Sequence, residues 1–427
     1  MMSWYGERNL LKYCATIGGE IVKEICEKDR CSGCNACLNV CGRNAVKRVQ
    51  TALGEEINMI DEECCIECGL CQKVCPQNSE SSLNTPESCF AAWSLDDSIR
   101  AKSASGGVAA ELYKWAVKRG MWISGVKMMD ALFAEHYLTK DLDTLGDFQN
   151  SKYVYSDTKY VFKQIAEKLK NNESVLFVGL PCQCDALKAV CNIKRISTNK
   201  LYVVDLICHG TAPQTYLREH VSAIESKKKK KADKLFFRDP DTYTYTYTFT
   251  LKNNGVPFYR RKVDRNDYYQ IGYHWGIIYR ENCYACRYAR QDRVGDLTLA
   301  DFSYVGTEAP CDYDNKNVSC VLANTGKGKD LLNGIAKEHQ VYVEERPMQE
   351  EMKYEHMLHE PTVRPKERAL FKKVYTEEHA GFEAAMATAC RNIALNNEMR
   401  YYLHVQDVKR GISRMVPSKL KAALRKK

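Results

Sequence analysis

From Cys89 onward the chain switches repeatedly between a helical and an extended hydrophobic period. The stretch 107–120, GVAAELYKWAVKRG, spaces its apolar residues for one helix face and stops at Gly120, which predicts a helix. The following MWISGVKM predicts a strand. SVLFVGLP and LYVVDLICHG are short apolar runs, each leading into a helical pattern, so they predict buried strands of a parallel α/β sheet. Residues 243–251, YTYTYTFTL, alternate strictly between aromatic and β-branched positions. That period predicts an antiparallel strand with one covered face. The flanking LFFRDP and FYRRKV extend it into a β-meander inserted in the α/β core.

The first 75 residues follow a different rule, because they hold 11 of the 21 cysteines. Cys31, Cys34, Cys37 and Cys41 recur 34 residues later as Cys65, Cys68, Cys71 and Cys75. Each half reads C-x2-C-x2-C-x3-C. Three thiolates from one loop suit an iron–sulfur cubane, and the fourth cysteine of each run reaches the other cluster. One cluster is therefore assigned Cys31, Cys34, Cys37 and Cys75, the other Cys65, Cys68, Cys71 and Cys41. Structural zinc also uses C-x2-C pairs, but not three evenly spaced cysteines followed by a fourth at x3. The module resembles a bacterial two-cluster ferredoxin, with Gly42 where such modules usually carry proline. Cys14, Cys26 and Cys64 fall out of register and read as bystanders.

Length and charge bound the rest. The 427 residues accommodate two to four domains, and 44% apolar with 27% charged residues is an ordinary globular composition. No apolar run approaches the roughly 18 residues that span a bilayer, and MMSWYGERNLLKYC lacks the charged and apolar regions of an export signal. A cytoplasmic, reducing setting is expected, in which dense cysteine means metal rather than disulfides. The net charge of +9 suits an acidic electron carrier. It is scattered, with no nucleic-acid motif, so no nucleic-acid partner is expected. The lysine run 227–231 reads as a solvated loop at a helix end. The stretch 408–427 carries eight Lys/Arg and no acid between apolar residues. It reads as an amphipathic membrane-surface anchor, a partner-docking tail or a frayed terminus.

Four further motifs occur in order: Lys102-Ser103-Ala104-Ser105-Gly106-Gly107; Gly179-Leu180-Pro181-Cys182-Gln183; Cys208-His209-Gly210; and Cys283-x2-Cys286 followed by GDLTLADF from Gly295. The serine–glycine turn opens a helix, where free amides favour a phosphate; a plain serine cap with packing glycines is the alternative. Cys182 and Cys208 end successive strand signals and so reach one sheet edge. A cysteine–histidine hydrolase is a reading of these two motifs, weakened by Cys283 and Cys286 competing for the same place. The four cysteines could form a third cubane, with Cys184 the rival of Cys182; ordinary buried thiols are the alternative.

Behind a two-cluster module, these motifs together resemble the coenzyme F-420 hydrogenase/dehydrogenase beta-subunit family. The resemblance covers about residues 26 to 390. It implies FAD beside the clusters, contacted by Ser103, Ser105, Gly106 and Gly107, with Ser151 and Lys152 (beside Tyr153) near flavin or substrate. The expected architecture is an N-terminal extension (1–25), an α+β ferredoxin-like module (26–82) and a flavin-associated region (83–165). An α/β domain with the inserted antiparallel meander (166–390) and a helical basic tail (391–427) follow. The expected function is an iron–sulfur flavoprotein oxidoreductase. Electrons would pass from ferredoxin or another low-potential carrier through the clusters to FAD and a small organic substrate, with polysaccharide metabolism one setting among relatives. The alternative is an electron-transfer subunit serving a separate catalytic partner, coenzyme F-420 chemistry included. No catalytic residue is assigned.

Overall fold

The structure, a computed structural model, describes residues 24–130 and 132–403. Cys14, most of the N-terminal extension and the basic stretch 408–427 lie outside the described residues. Thirteen strands are described: β1 Val46–Gln50, β2 Glu56–Ile60, β3 Ser88–Ser94, β4 Trp122–Met129, β5 Phe133–Thr139, β6 Val175–Gly179, β7 Leu201–Leu206, β8 Lys234–Phe236, β9 Thr248–Asn253, β10 Val256–Lys262, β11 Leu297–Asp301, β12 Ser319–Ala323 and β13 Val341–Arg346. Eight form one sheet in the order β13-β3-β12-β11-β7-β6-β4-β5. The middle of that sheet, β11-β7-β6-β4, is parallel, and antiparallel strands extend it on both sides. The expected parallel α/β core is therefore present within a mixed sheet. Strands from before and after residue 166 share it, so the expected flavin-associated region and α/β domain have no separate sheets.

The parallel strands are buried on both faces, as their unbroken apolar runs require: all five residues of β6 are buried. The helix Val108–Lys118 packs Val108, Leu112, Tyr113 and Ala116 into the sheet core. The helix Pro181–Ile193 follows β6 after one residue, with Pro181 in its first turn, where a missing N–H costs nothing. This junction sets Cys182 at the carboxyl edge of the parallel strands.

The meander is a three-stranded antiparallel sheet, β10-β9-β8. Its alternating stretch departs from expectation. Only 248–251 belong to β9; Pro240–Thr242 and Thr244–Thr246 are 3-10 turns. Tyr243 and Tyr247 take φ of +74° and +50°, a region costly for a side chain with a Cβ. Tertiary contacts hold them there: the Tyr247 ring lies 4.1 Å from the Arg238 guanidinium, and its carbonyl accepts from Gln270 Nε2 at 3.0 Å. A period of two was present without a strand to carry it.

The cysteine-rich segment folds as the hairpin β1/β2 with two short helices, Ala36–Val40 and Leu70–Lys73. The polar stretch after it is docked rather than loose. Asn84 and Arg293 exchange backbone hydrogen bonds at 2.8 Å, and Ser81 donates to Asp185. Among the described residues, no helix is long and apolar enough to cross a membrane.

Candidate functional site

The two cysteine loops keep one backbone. Gly33 and Glu67, equivalent in the repeat, have φ of +69° and +54°; Asn35 and Gly69 have +61° and +70°. These left-handed positions turn each loop so that its cysteines face inward. Cys31, Cys34, Cys37 and Cys75 line one cavity, with Ser32, Asn58 and Gln77 around them. The fourth cysteine thus comes from the opposite run, as the cross-ligation pattern expects. Cys71 lies in the electrostatic reach of Cys65 and Cys41, bringing three members of the second set together, while Cys68 stands exposed beside them.

Backbone amides point at these sulfurs. Cys41 Sγ accepts from Ala45 N–H at 3.3 Å and Cys65 Sγ from Glu67 N–H at 3.4 Å. Cys31 takes amides from Asn58 and Gly33, Cys34 from Ala36 and Cys75 from Gln77 and Asn78. Such donors stabilise anionic thiolates, the form that binds iron. Among the described residues, no three His, Cys, Asp or Glu side chains stand close enough to hold a single metal ion. The cysteines surround cavities instead, and four thiols with amides aimed at them fit a cluster.

The inner loop is clamped to the body of the protein. Asn35 Nδ2 donates to Asp157 Oδ1 (2.9 Å) and Thr158 Oγ1 (3.1 Å) and its Oδ1 accepts from Asn58. Arg48 pairs with the fully buried Asp157. Tyr155 OH donates to the Gly33 carbonyl at 2.5 Å, and Thr158 Oγ1 to that of Cys34 at 2.9 Å. The buried Arg280 donates to the carbonyls of Cys31 (3.2 Å) and Glu56 (2.9 Å).

A third set of cysteines lies next to this one. Cys182, Cys208, Cys283 and Cys286 line one cavity, together with Ser32, Gln77, Tyr155, His209 and Tyr288. Cys182 comes from the helix start after β6, Cys208 from the loop after β7, and the pair from the 3-10 turn Glu281–Ala285 and its end. Burial pushes the Cys182 thiol well up, and Cys208, Cys286, Cys34 and Cys283 add to that repulsion. Burial and the neighbouring Cys286 push Cys283 up to about 11. Amides of Tyr288 and Ala289 point at Cys286, and Thr211 Oγ1 lies 3.9 Å from Cys283 Sγ. Ser32 and Gln77 line both cavities, so the inner loop lies beside the third set. Cys184, the rival ligand, points elsewhere: it is fully buried, 3.8 Å from the Val204 carbonyl.

The motif from Gly295 is the frame of this site. Asp205, buried at the end of β7, accepts from the amides of Val294 (2.9 Å) and Gly295 (2.8 Å) and from Thr298 Oγ1 (2.6 Å). Arg293 Nη2 closes the network on Asp205 at 3.2 Å. A Cβ on Gly295 would lie 2.5 Å from the Leu297 carbonyl, so glycine is required there.

The serine–glycine turn does open the helix Val108–Lys118, and its serine hydroxyls and the Gly106 amide bond within the protein. Ser103 Oγ donates to the Ile99 carbonyl and Ser105 Oγ to that of Val318, both at 2.8 Å. The Gly106 amide donates to Ser319 Oγ at 2.9 Å, and a Cβ there would meet the Ala92 carbonyl at 2.3 Å. Gly107 has φ +86° and packs on Ser94 and Ser103. The Ser151 amide donates to Asn150 Oδ1 at 2.8 Å, and Ser151 also hydrogen-bonds the Tyr153 side chain. Lys152 Nζ is turned onto the carbonyls of Asp147 and Gln149, both at 2.7 Å; burial lowers its pKa to about 7. As folded, these side chains bond to protein carbonyls rather than turning out toward a ligand. Arg238 nonetheless gathers both segments: it donates to the Ala104 carbonyl (2.6 Å), Tyr153 OH (2.5 Å) and Asp301 (2.5 Å).

Three residues at these sites escaped the sequence reading. Cys26, out of register, lines the inner cavity and hydrogen-bonds Cys31 and Cys75; that bond brings Cys31 down to about 6. Its proximity to Cys31 along the chain was the available signal. Arg280 and Tyr155 carried none beyond being aromatic or basic.

Comparison with known proteins agrees with this geometry. Residues 172–349 match the C-terminal domain of the coenzyme F-420 hydrogenase/dehydrogenase beta subunit, and residues 30–79 match a 4Fe-4S dicluster domain. Along the chain, a segment similar to an iron–sulfur dicluster domain thus precedes one similar to the C-terminal domain of that beta subunit. A chain from the F-420-reducing NiFe hydrogenase complex of Methanosarcina barkeri aligns over 73% of this chain and 92% of its own, at 14% identity and a TM-score of 0.41. That likeness carries no argument. No curated protein matches.

Proposed function

We propose that the chain is an electron-transfer protein of this oxidoreductase family, with three consecutive four-cysteine sites. The outer site holds Cys41, Cys65, Cys68 and Cys71; the inner holds Cys31, Cys34, Cys37 and Cys75. The third holds Cys182, Cys208, Cys283 and Cys286. The observation that supports the reading is that Cys75 joins Cys31, Cys34 and Cys37 around one cavity, which shares Ser32 and Gln77 with the cavity of the third set. Clusters in these sites supply one-electron exchange. The residues around them do the positioning. Asp205 and Arg293 hold the β7 and β11 ends, Arg280 ties the Cys283 segment to the Cys31 carbonyl, and backbone amides favour each thiolate.

The third site opens at His209, Arg30 and Arg287, so electrons reach the surface there for a separate catalytic partner or a small acceptor. Of the two functions expected from sequence, the electron-transfer subunit is favoured. The flavoenzyme would draw phosphate donors from Ser103–Gly107, whose serine hydroxyls are bonded to protein carbonyls. Iron content tests the reading: three cubanes require about 12 iron per chain and two about 8. Cys283→Ala is expected to lower the count from about 12 to about 8 while the dicluster signals persist. A count near 8 in both proteins would remove the third site.

A further inference from the structure

We infer that the outer cysteine loop is the docking face for a one-electron protein carrier that presents a basic surface with an apolar centre. The inference rests on the electron-transfer reading and adds the partner's chemistry. The repeat gives both loops one backbone, yet among the described residues only the inner one is covered. A Cβ on Gly33 would stand 3.1 Å from Arg280 and Tyr155, whereas one on Gly69, its counterpart loop's left-handed glycine, would meet nothing within 4 Å. Ile66 is 61% exposed and Leu70 37%, either side of the exposed Cys68. The inner loop has small residues at the equivalent positions, Ser32 and Ala36.

Charge selects the partner. The segment 61–70 holds Asp61, Glu62, Glu63 and Glu67 and no base. Asp61 is paired with Lys47 at 3.6 Å, and Glu62 and Glu63 are exposed next to Cys64 and Cys65. Arg43, after Cys41, and Lys73, at the end of the following helix, flank the face without reaching the 61–70 segment along the chain. The loop's acidity opposes the chain's overall charge of +9, so the acidic carrier suggested by composition is the wrong sign for this face. Local charge around the docking point, not the total, steers encounter.

The test uses the full chain, reconstituted anaerobically and reduced with dithionite, then mixed in stopped flow with one of three oxidants. These are a basic cytochrome c, an acidic plant-type ferredoxin, and a small neutral quinone. Cytochrome c oxidation is expected to slow about tenfold between low and high salt, and the ferredoxin reaction to quicken. Glu62→Lys/Glu63→Lys should cut the low-salt cytochrome c rate several-fold and flatten its salt dependence, leaving the quinone rate unchanged. Glu62→Gln/Glu63→Gln should give an intermediate rate and serves if the reversal does not fold. Equal cytochrome c rates in wild type and the folded variant, or a salt-independent wild-type rate, would overturn the docking face alone. Clusters that the quinone cannot oxidise would overturn the electron-transfer reading, and the docking face with it.

Discussion

The two cysteine loops share spacing and left-handed backbone positions but live in opposite surroundings. In the inner loop, C-S-G-C-N-A-C, the residues between cysteines are small or uncharged; in the outer, C-I-E-C-G-L-C, all but Gly69 are bulky or acidic. Asn35 bonds to Asp157, Thr158 and Asn58, and Gly33 admits Tyr155 and Arg280; the outer equivalents, Gly69 and Glu67, lie toward solvent. Cysteine spacing sets what a loop can ligate, and the residues between decide whether it faces protein or a partner.

The sharpest way to break this comparison is through the clamp. Asp157 is fully buried and receives Arg48, Asn35 and the Lys159 amide. Asp157→Ala is expected to cost about 3–5 kcal/mol in denaturant unfolding, because Arg48 and Asn35 lose their shared acceptor. A change near zero would mean the inner loop does not depend on the body. Next, Gly33→Ala should cost about 3 kcal/mol, from a left-handed alanine that also crowds Tyr155, while Gly69→Ala should cost only the backbone term of about 1 kcal/mol. Equal losses would contradict the burial difference.

A pH titration separates the body from both loops. Burial opposes the charge on His220, but Asp267 at 3.0 Å and Glu383 at 2.5 Å outweigh it and push its pKa up to about 10. The folded value lies above the unfolded one of about 6.5. Its stabilisation is therefore complete below that pH and is lost as pH rises through about 10. Unfolding midpoints should fall over that window and His220→Gln should flatten the slope, with the iron content of both loops unchanged. The smallest effect concerns Arg280, which bears on Cys31 and lies away from the outer set. Arg280→Gln should make the inner midpoint more negative by tens of millivolts and leave the outer one in place, measured by EPR-monitored titration.

Much of this was legible in residue order. The meeting of Cys75 with Cys31, Cys34 and Cys37 around one cavity followed from the repeat, and the gathering of Cys182, Cys208, Cys283 and Cys286 followed from two strand ends and a C-x2-C pair. The helix over 108–118 and strands β4, β6 and β7 were written in hydrophobic periods. The errors share one cause. YTYTYTFTL has the period of a strand, but Arg238, Gln270 and His274 draw Tyr247 out of it. Ser103, Ser105 and Lys152 read as ligand donors because residue type reveals a capacity to bond, not which partner uses it. Cys26 was dismissed on register alone.

By itself, the sequence determined what depends on neighbours a few residues away: which thiols can share a loop, where apolar faces recur, and which glycines turn the chain. Only the tertiary structure decided which of two like loops is covered, that Asp205 binds the amides of residues almost ninety positions later, and that the Ser105 hydroxyl donates to Val318. Local spacing is encoded in the order of residues. Burial and hydrogen-bond partners depend on contacts between distant segments, and no local pattern states which segments meet.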